Sequence, residues 1–331
     1  MTNQTMNNAP ASSENCETEG AQSANIKRYL ANPYALISVF AILEVLYYFV
    51  FGDAWIIRIL IICNIYALYA ASWDLVGGFL GQVSIGHSLF FGGAAYVSSL
   101  LSLHFGWPIL VVMLLGVLSG VLFALILGLP TLRLKGPYFS VVTMVTPMVF
   151  VAIIFMYPVE LGGDCGYTGF AALANGNLNH QFLIILTVCL ASVLTLIKIS
   201  RSNYGLVLKA IREDDFAAEA AGLNITKHKI INFIISGVFA SLAGVLFVHF
   251  QGAAAPAMLE GLNSMMPIIM TITGGMGTIV GPIIGAYLIS FLNEYLISFP
   301  EVRIILYCAV TILILRFAPA GIMGWLKKLY K

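Results

Sequence analysis

The sequence predicts an all-α polytopic membrane protein of about ten transmembrane helices. Three observations carry that prediction. Of 331 residues, 60% are hydrophobic and only 9% are charged, too little charge to cover a soluble chain of this length. The apolar residues gather into ten runs, most of them close to the roughly 20 residues that a spanning helix needs. Thirteen of the sixteen Lys and Arg residues fall on one side of a ten-crossing topology, the bias that orients membrane proteins. Backbone groups in lipid must be satisfied within a helix or a closed barrel, and no period-two alternation runs over strand-length segments, so the runs are read as helices.

The elements follow in chain order. Met1–Asn25 is rich in Asn, Ser, Thr and Glu and has no Lys or Arg. Such a segment cannot bury a core and is expected to be disordered. It lacks the basic start and early apolar run of a signal peptide. Residues 1–32 therefore read as a cytoplasmic tail, with Lys27 and Arg28 holding the N-terminus inside. Spans are predicted at 34–51, 54–76, 82–104, 108–128, 138–157, 181–199, 230–251, 263–276, 282–299 and 303–318. Together they form a membrane domain over 33–320, with a charged loop at 201–229 and a cytoplasmic tail at 321–331. The inner joints then carry Lys27, Arg28, Arg133, Lys135, Lys198, Arg201, Lys209, Arg212, Lys227, Lys229, Lys327, Lys328 and Lys331. Arg58 and Arg303 stay outside, Arg316 sits near the inner end of the last span, and both termini are inside.

Several function classes are excluded or disfavoured. The net charge of +1 implies no attraction to nucleic acid. Cys16, Cys63, Cys165, Cys189 and Cys308 are scattered without a CxxC pair and read as small packing residues; no metal site or cofactor is implied. No GxxxxGK[ST] phosphate loop is present, so ATP is not hydrolysed through such a loop here.

Polar residues inside apolar runs carry the most information. Glu44 lies mid-span, where an ionisable group costs roughly 2.5–3.5 kcal/mol on insertion scales and needs a partner, a cavity or a proton. A pairing with Arg58 across the Phe51–Ala54 link is the expectation, with snorkelling as the rival. Asp74 is read as interfacial. Gly77, Gly78 and Gly81 weaken helix continuity, and a broken helix at membrane depth is tolerated only against protein or a water-filled path. Gly81, Gly86, Gly92 and Gly93, like Gly274, Gly275 and Gly277, either let backbones approach closely or expose backbone groups to a polar solute. His87 is a hydrogen-bonded packing residue or a solute ligand, with Ser84 and Ser88 as its candidate partners.

The loop Arg201–Lys229 reads RSNYGLVLKAIREDDFAAEAAGLNITKHK. Leu206–Ala221 is predicted helical, with Gly222 as its stop and a turn at Asn224–Thr226. It is either a solvated connector or a docking element, and its mixture of Leu206, Leu208, Ile211 and Phe216 with charges suits docking. Glu219-Ala220-Ala221-Gly222 resembles the EAA-type coupling segment of ABC importer permeases. The longer stretch from Tyr204-Gly205 through Lys209-Ala210-Ile211-Arg212-Glu213-Asp214 to Ala220-Ala221-Gly222-Leu223-Asn224 resembles that of branched-chain amino acid permeases, the LivM-type subunit more than its LivH-type sister. Gly81–Tyr96, Leu132–Phe139 and Gly274–Tyr287 are similar to the family's glycine-rich signature, basic turn and late glycine segment.

That resemblance covers about residues 35–325. It implies a ten-helix ABC importer permease in the bacterial inner membrane that carries branched-chain amino acids and is not itself an enzyme. Its implied partners are a LivH-type sister permease, two cytoplasmic ATPases and an extracytoplasmic solute-binding protein. The loop at 158–180, with Gly162-Gly163-Asp164-Cys165-Gly166-Tyr167-Thr168-Gly169, is either a contact for that binding protein or a plain flexible turn; Cys165 departs from the family pattern. Urea, short amides and other small polar solutes stay open as cargo, and an ion-coupled transporter or a helical scaffold stay open as mechanisms.

Overall fold

The computed structural model describes residues 33–50, 52–131, 137–296, 300–318 and 320–329. The expected N-terminal tail with Lys27 and Arg28, the basic turn with Arg133 and Lys135, and Lys331 lie outside the described residues. The helices in order are α1 (Pro33–Val50), α2 (Ala54–Asp74), α3 (Ser88–Phe105), α4 (Ile109–Thr131), α5 (Pro137–Met156), α6 (Leu178–Arg201), α7 (Asn203–Glu213), α8 (Asp215–Ala220), α9 (Ile225–Gln251), α10 (Gly261–Gly274), α11 (Val280–Tyr295), α12 (Pro300–Phe317) and α13 (Gly321–Leu329). A single turn, Pro158–Leu161, follows α5.

The molecule is an all-α polytopic membrane bundle. Eight stretches among the described residues are long and apolar enough to cross a membrane: α1 to α6, α9 and Ile305–Trp325. The remaining two predicted spans, α10 and α11, have 14 and 16 residues. At 1.5 Å per residue they rise only about 21 and 24 Å, short of the roughly 30 Å hydrocarbon layer.

Helix α2 is the axis of the bundle and packs against α6, α9, α10 and α11. Its residues from Ile65 to Asp74 are nearly all buried because they meet neighbours on every side. A second layer sets α9 against α3 and α4. There Gly120 admits Ser241, and Gly244 admits the Phe91 carbonyl. Helix α4 turns an apolar stripe outward, Leu110, Leu114, Leu118, Leu122 and Ile126, at a four-residue spacing that suits lipid contact.

Two ends can be told apart by their contacts. At one, the Arg201 guanidinium lies 5.5 Å from the Tyr34 ring and Lys209 lies 5.2 Å from the Phe79 ring. At the other, Tyr48 stacks on Phe182 and Trp55 packs edge-on to Tyr295. A two-residue antiparallel pair there, β1 (Tyr167–Thr168) with β2 (Ala253–Ala254), ties the glycine-rich 158–180 segment to the end of α9.

Three expectations change. The third span, predicted from 82, becomes helical only at Ser88, because Gly81 takes a left-handed φ of +76° and the chain leaves the helical path. The predicted 206–221 helix is two: Asp214 adopts an extended φ of −154°, ends α7 and caps α8 with its own carboxylate. Asn224 does not turn the chain ahead of α9 but caps that helix, accepting from Lys227 N at 3.0 Å, so α9 starts five residues before the predicted span.

Candidate functional site: a junction of broken helices and the charged loop

The polar groups of the bundle concentrate where α2 ends. After Asp74 the chain makes a π-helical turn, Leu75–Phe79, that runs directly against the break between α10 and α11. Gly275 and Gly277 have φ of +119° and +74° in that break. The freed backbone amides are satisfied by Asp74, whose Oδ1 accepts from Gly277 N at 2.7 Å and Oδ2 from Ile279 N at 3.1 Å. Asp74 is fully buried within the protein. A carboxylate offers two acceptor oxygens, which is what two unpaired buried amides require. No side chain fits between these strands of backbone. A Cβ on Gly78 would lie 2.5 Å from Gly277 N, and one on Gly274 would lie 1.8 Å from the Gly281 carbonyl.

The segment from Leu80 to His87 is non-helical and borrows its hydrogen bonds from neighbours. Trp73 Nε1 donates to the Ser84 carbonyl at 2.7 Å, Thr143 Oγ1 accepts from Ile85 N at 3.1 Å, and Ser140 Oγ donates to the Val83 carbonyl at 2.6 Å. Gly86 is pressed so close to α5 that a Cβ would meet the Thr143 carbonyl at 2.1 Å. His87 is fully buried between Ser84 Oγ (3.3 Å from Nδ1) and Ser236 Oγ (2.8 Å from Nε2). Ser236 donates its own proton to the Ser72 carbonyl at 2.6 Å. The ring must then carry its proton on Nε2 and accept from Ser84 on Nδ1.

Ser84 is a partner of His87 as expected, but Ser88 is not. Ser88 Oγ donates to the Leu259 carbonyl at 3.0 Å, and Ser264 Oγ donates to Ser88 Oγ at 2.6 Å. Gly92 and Gly93 follow on α3: a Cβ on the first would meet the Met258 carbonyl at 2.8 Å, and on the second the Phe123 ring at 2.8 Å. Both glycine segments therefore mediate close backbone approach. Nothing in the one-dimensional pattern distinguishes Trp73, Ser236 and Ser264 from other polar residues in apolar runs; only their depth marks them.

The charged loop lies across this junction. Arg212 donates to the Gly78 carbonyl, and its aliphatic stem fills the space a side chain at Gly81 would occupy. Lys209 covers Phe79. Leu208 and Ile211 are buried on the same face of α7. Gly205 allows α7 to fold back on α6, since a Cβ there would lie 2.1 Å from the Ser200 carbonyl. Tyr204 donates to the His228 carbonyl at 3.2 Å, and burial pushes its phenol up from the ordinary range. Lys229 pairs with Asp215 at 2.8 Å and fixes α8 against α9. The opposite face is turned outward: Leu206 is 63% exposed and Phe216 72%, and Glu213, Glu219, Ala220, Ala221 and Gly222 are exposed beside them. The junction thus collects Gly81, Gly277, Lys209 and Arg212, while Glu219–Gly222 stand on the outward edge of the loop.

Glu44 does not pair with Arg58. It accepts from Asn64 Nδ2 at 2.8 Å and from the Tyr287 hydroxyl, and it is buried. Arg58 instead reaches Gln251 at 3.5 Å and lies 5.9 Å from the Phe250 ring. Asn64 and Arg58 are six residues apart on α2, about 120° around the helix, so the face turned to α1 is not the face that carries Arg58. Among the cysteines, Cys63 and Cys189 are buried as expected, whereas Cys165 and Cys308 are exposed and Cys16 lies outside the described residues.

Comparison with known proteins bears on this architecture. The family model described as the branched-chain amino acid transport system / permease component matches residues 55–315. The high-affinity branched-chain amino acid transport system permease protein LivM of Salmonella typhimurium is 25% identical over 288 residues, covering 78% of this chain and 68% of that protein. The ribose import permease protein RbsC of Haemophilus influenzae is 25% identical over 272 residues, 79% of this chain and 83% of its own. LivH of Escherichia coli is 28% identical over 146 residues, 44% of this chain and 47% of its own. No solved structure matches. The matched region contains both glycine segments and the whole charged loop, and the chain belongs to the family of permease components of branched-chain amino acid transport systems.

Proposed function

We propose that this chain is the LivM-type subunit of an ATP-driven importer of branched-chain amino acids in a bacterial inner membrane. A LivH-type sister permease would supply the other half of the path, two cytoplasmic ATPases the energy, and an extracytoplasmic binding protein the solute. The observation that carries the reading is the seat of α7: Arg212 holds the Gly78 carbonyl at the turn that Asp74 fastens to the α10–α11 break. Displacement of α7 by an ATPase therefore moves two helix breaks together. The exposed face of the loop, with Leu206 and Phe216 among Glu213 and Glu219, has the apolar anchors and charged rim that suit a docking surface.

The test is co-purification of the permease pair with its ATPases. Changing Glu219 to Lys and Gly222 to Leu should release the ATPases while the permease still inserts. Gly222 has a φ of +86°, so a leucine there strains the loop end. Retention of the ATPases in the double variant would refute the docking assignment. Similarity to a ribose import permease makes the cargo a separate question, decided by uptake of labelled leucine against ribose and urea.

A further inference from the structure

Residues 252–260 hold a feature that none of these roles uses. They comprise the short strand Ala253–Ala254 and a 3-10 turn, Pro256–Leu259, and lead into α10 at Gly261, with Glu260 as the N-cap residue. The Glu260 side chain makes no capping bond to the helix. The Asn263 and Ser264 amides bond the Glu260 carbonyl, so the amides left without intrahelical partners at this helix start are those of Gly261 and Leu262; around Gly261 a Cβ would meet nothing within 4 Å. A cavity of about 300 Å³ lies beside this helix start, between α2, α10, α11 and α12. That is the scale of small-molecule sites.

The cavity lining is mixed. Leu262, Met265, Met266, Ile269 and Met270 of α10 make it largely apolar and soft. Glu260, Asn263, Ser290 and Asn293 add polar groups to it. Asn293 is held by the Tyr307 hydroxyl at 2.5 Å, and the Asn263 amide by the Ala257 carbonyl at 2.6 Å. Ser290 is 3% exposed, and its hydroxyl has no hydrogen-bond partner with good geometry among the described residues; the Cys63 thiol, a weak partner, is its neighbour. A buried hydroxyl left in that state beside a cavity is a vacancy for a polar ligand.

We infer that this cavity is a solute site for an α-amino acid with a short branched aliphatic side chain. The open amides at the start of α10 receive the carboxylate, as half-helix N-termini at membrane depth do for anions. The Glu260 carboxylate faces the ammonium, Ser290 supplies a further polar contact, and the methionine-rich lining takes the side chain. Methionine is unbranched and adaptable, so the same lining accommodates several branched shapes. The inference rests on the importer reading and adds the place and orientation of the solute.

The test uses the full complex of both permeases and the ATPases, reconstituted with its binding protein. A photoactivatable diazirine analogue of leucine should label the 261–270 segment, in competition with leucine. Glu260→Gln, at an exposed position, should lower that labelling and leucine uptake about tenfold or more, the loss of one charged contact. Met266→Trp should fill the cavity and abolish both, with ATPase co-purification unchanged. Uptake within twofold of wild type in both variants, or labelling confined to other segments, overturns the site while leaving the importer reading intact. If the unaltered complex takes up no leucine, the importer reading falls first and the site with it.

Discussion

The two ends of α10 are built in opposite ways. At Gly274 the helix stops against the backbone of Gly281 and Gly285, with a would-be Cβ 1.8 Å from the Gly281 carbonyl; at Gly261, thirteen residues earlier, there is open space. The closed end is hydrogen-bonded through Asp74 to α2 and through Gly78 to Arg212. The open end faces a cavity. The first turn of α10 is anchored by side chains instead: Ser264 bonds Ser88 of α3, and the Asn263 carbonyl accepts from the Tyr69 hydroxyl of α2. One short helix is thus fixed by backbone packing at one end and by polar side chains at the other.

The comparison can be broken at several points, of decreasing expected effect. Gly274→Leu must displace backbone that has nowhere to go, so uptake should fall to background and the purified complex should melt earlier; an active, equally stable variant would show that the grip is not tight. Asp74→Ala strands two buried amides at roughly 1–3 kcal/mol each, read as a lower melting temperature. Asp74→Asn, which keeps one acceptor oxygen, should fall between the two. Arg212→Ala removes a charge-assisted bond worth roughly 1.5–3 kcal/mol. Uptake should drop by at least about tenfold with the ATPases still bound, because the loop remains seated by Leu208 and Ile211. Loss of ATPase binding instead would make Arg212 a docking residue rather than a link. Gly261→Ala should change thermal stability by no more than about 0.5 kcal/mol; damage equal to that of Gly274→Ala would erase the distinction between the two ends.

Much of the architecture was legible in the chain. Apolar runs located the helices of the bundle, the eight long ones among the described residues included, with borders off by up to six residues, since burial in lipid leaves a coarse signal that needs no partner. Gly77, Gly78 and Gly81 announced the break after α2 because glycine is the residue that tolerates the left-handed backbone found at Gly81. The exposed face of the loop, with Leu206 and Phe216 among charges, was visible as apolar residues in a hydrophilic stretch. The Asp214 break inside that loop was not, because Asp is an acceptable helix residue as well as a good cap, and only its extended backbone decides between the two.

The partners of buried polar groups were misread for a different reason. Glu44 was matched to Arg58, close in sequence, whereas its bonds reach Asn64 and Tyr287, the latter 243 positions away. The partners of Asp74 have no trace in its local sequence either, because its amides come from residues 203 and 205 positions on. Taken by itself, the amino-acid order determined that this protein lives in a bilayer, where its helices run and where they must break, because hydropathy and glycine act locally. Only the folded bundle decided which polar groups satisfy one another and which end of α10 is closed. That choice depends on the rotation of each helix about its axis and on neighbours brought together from distant parts of the chain, information that a linear pattern does not contain.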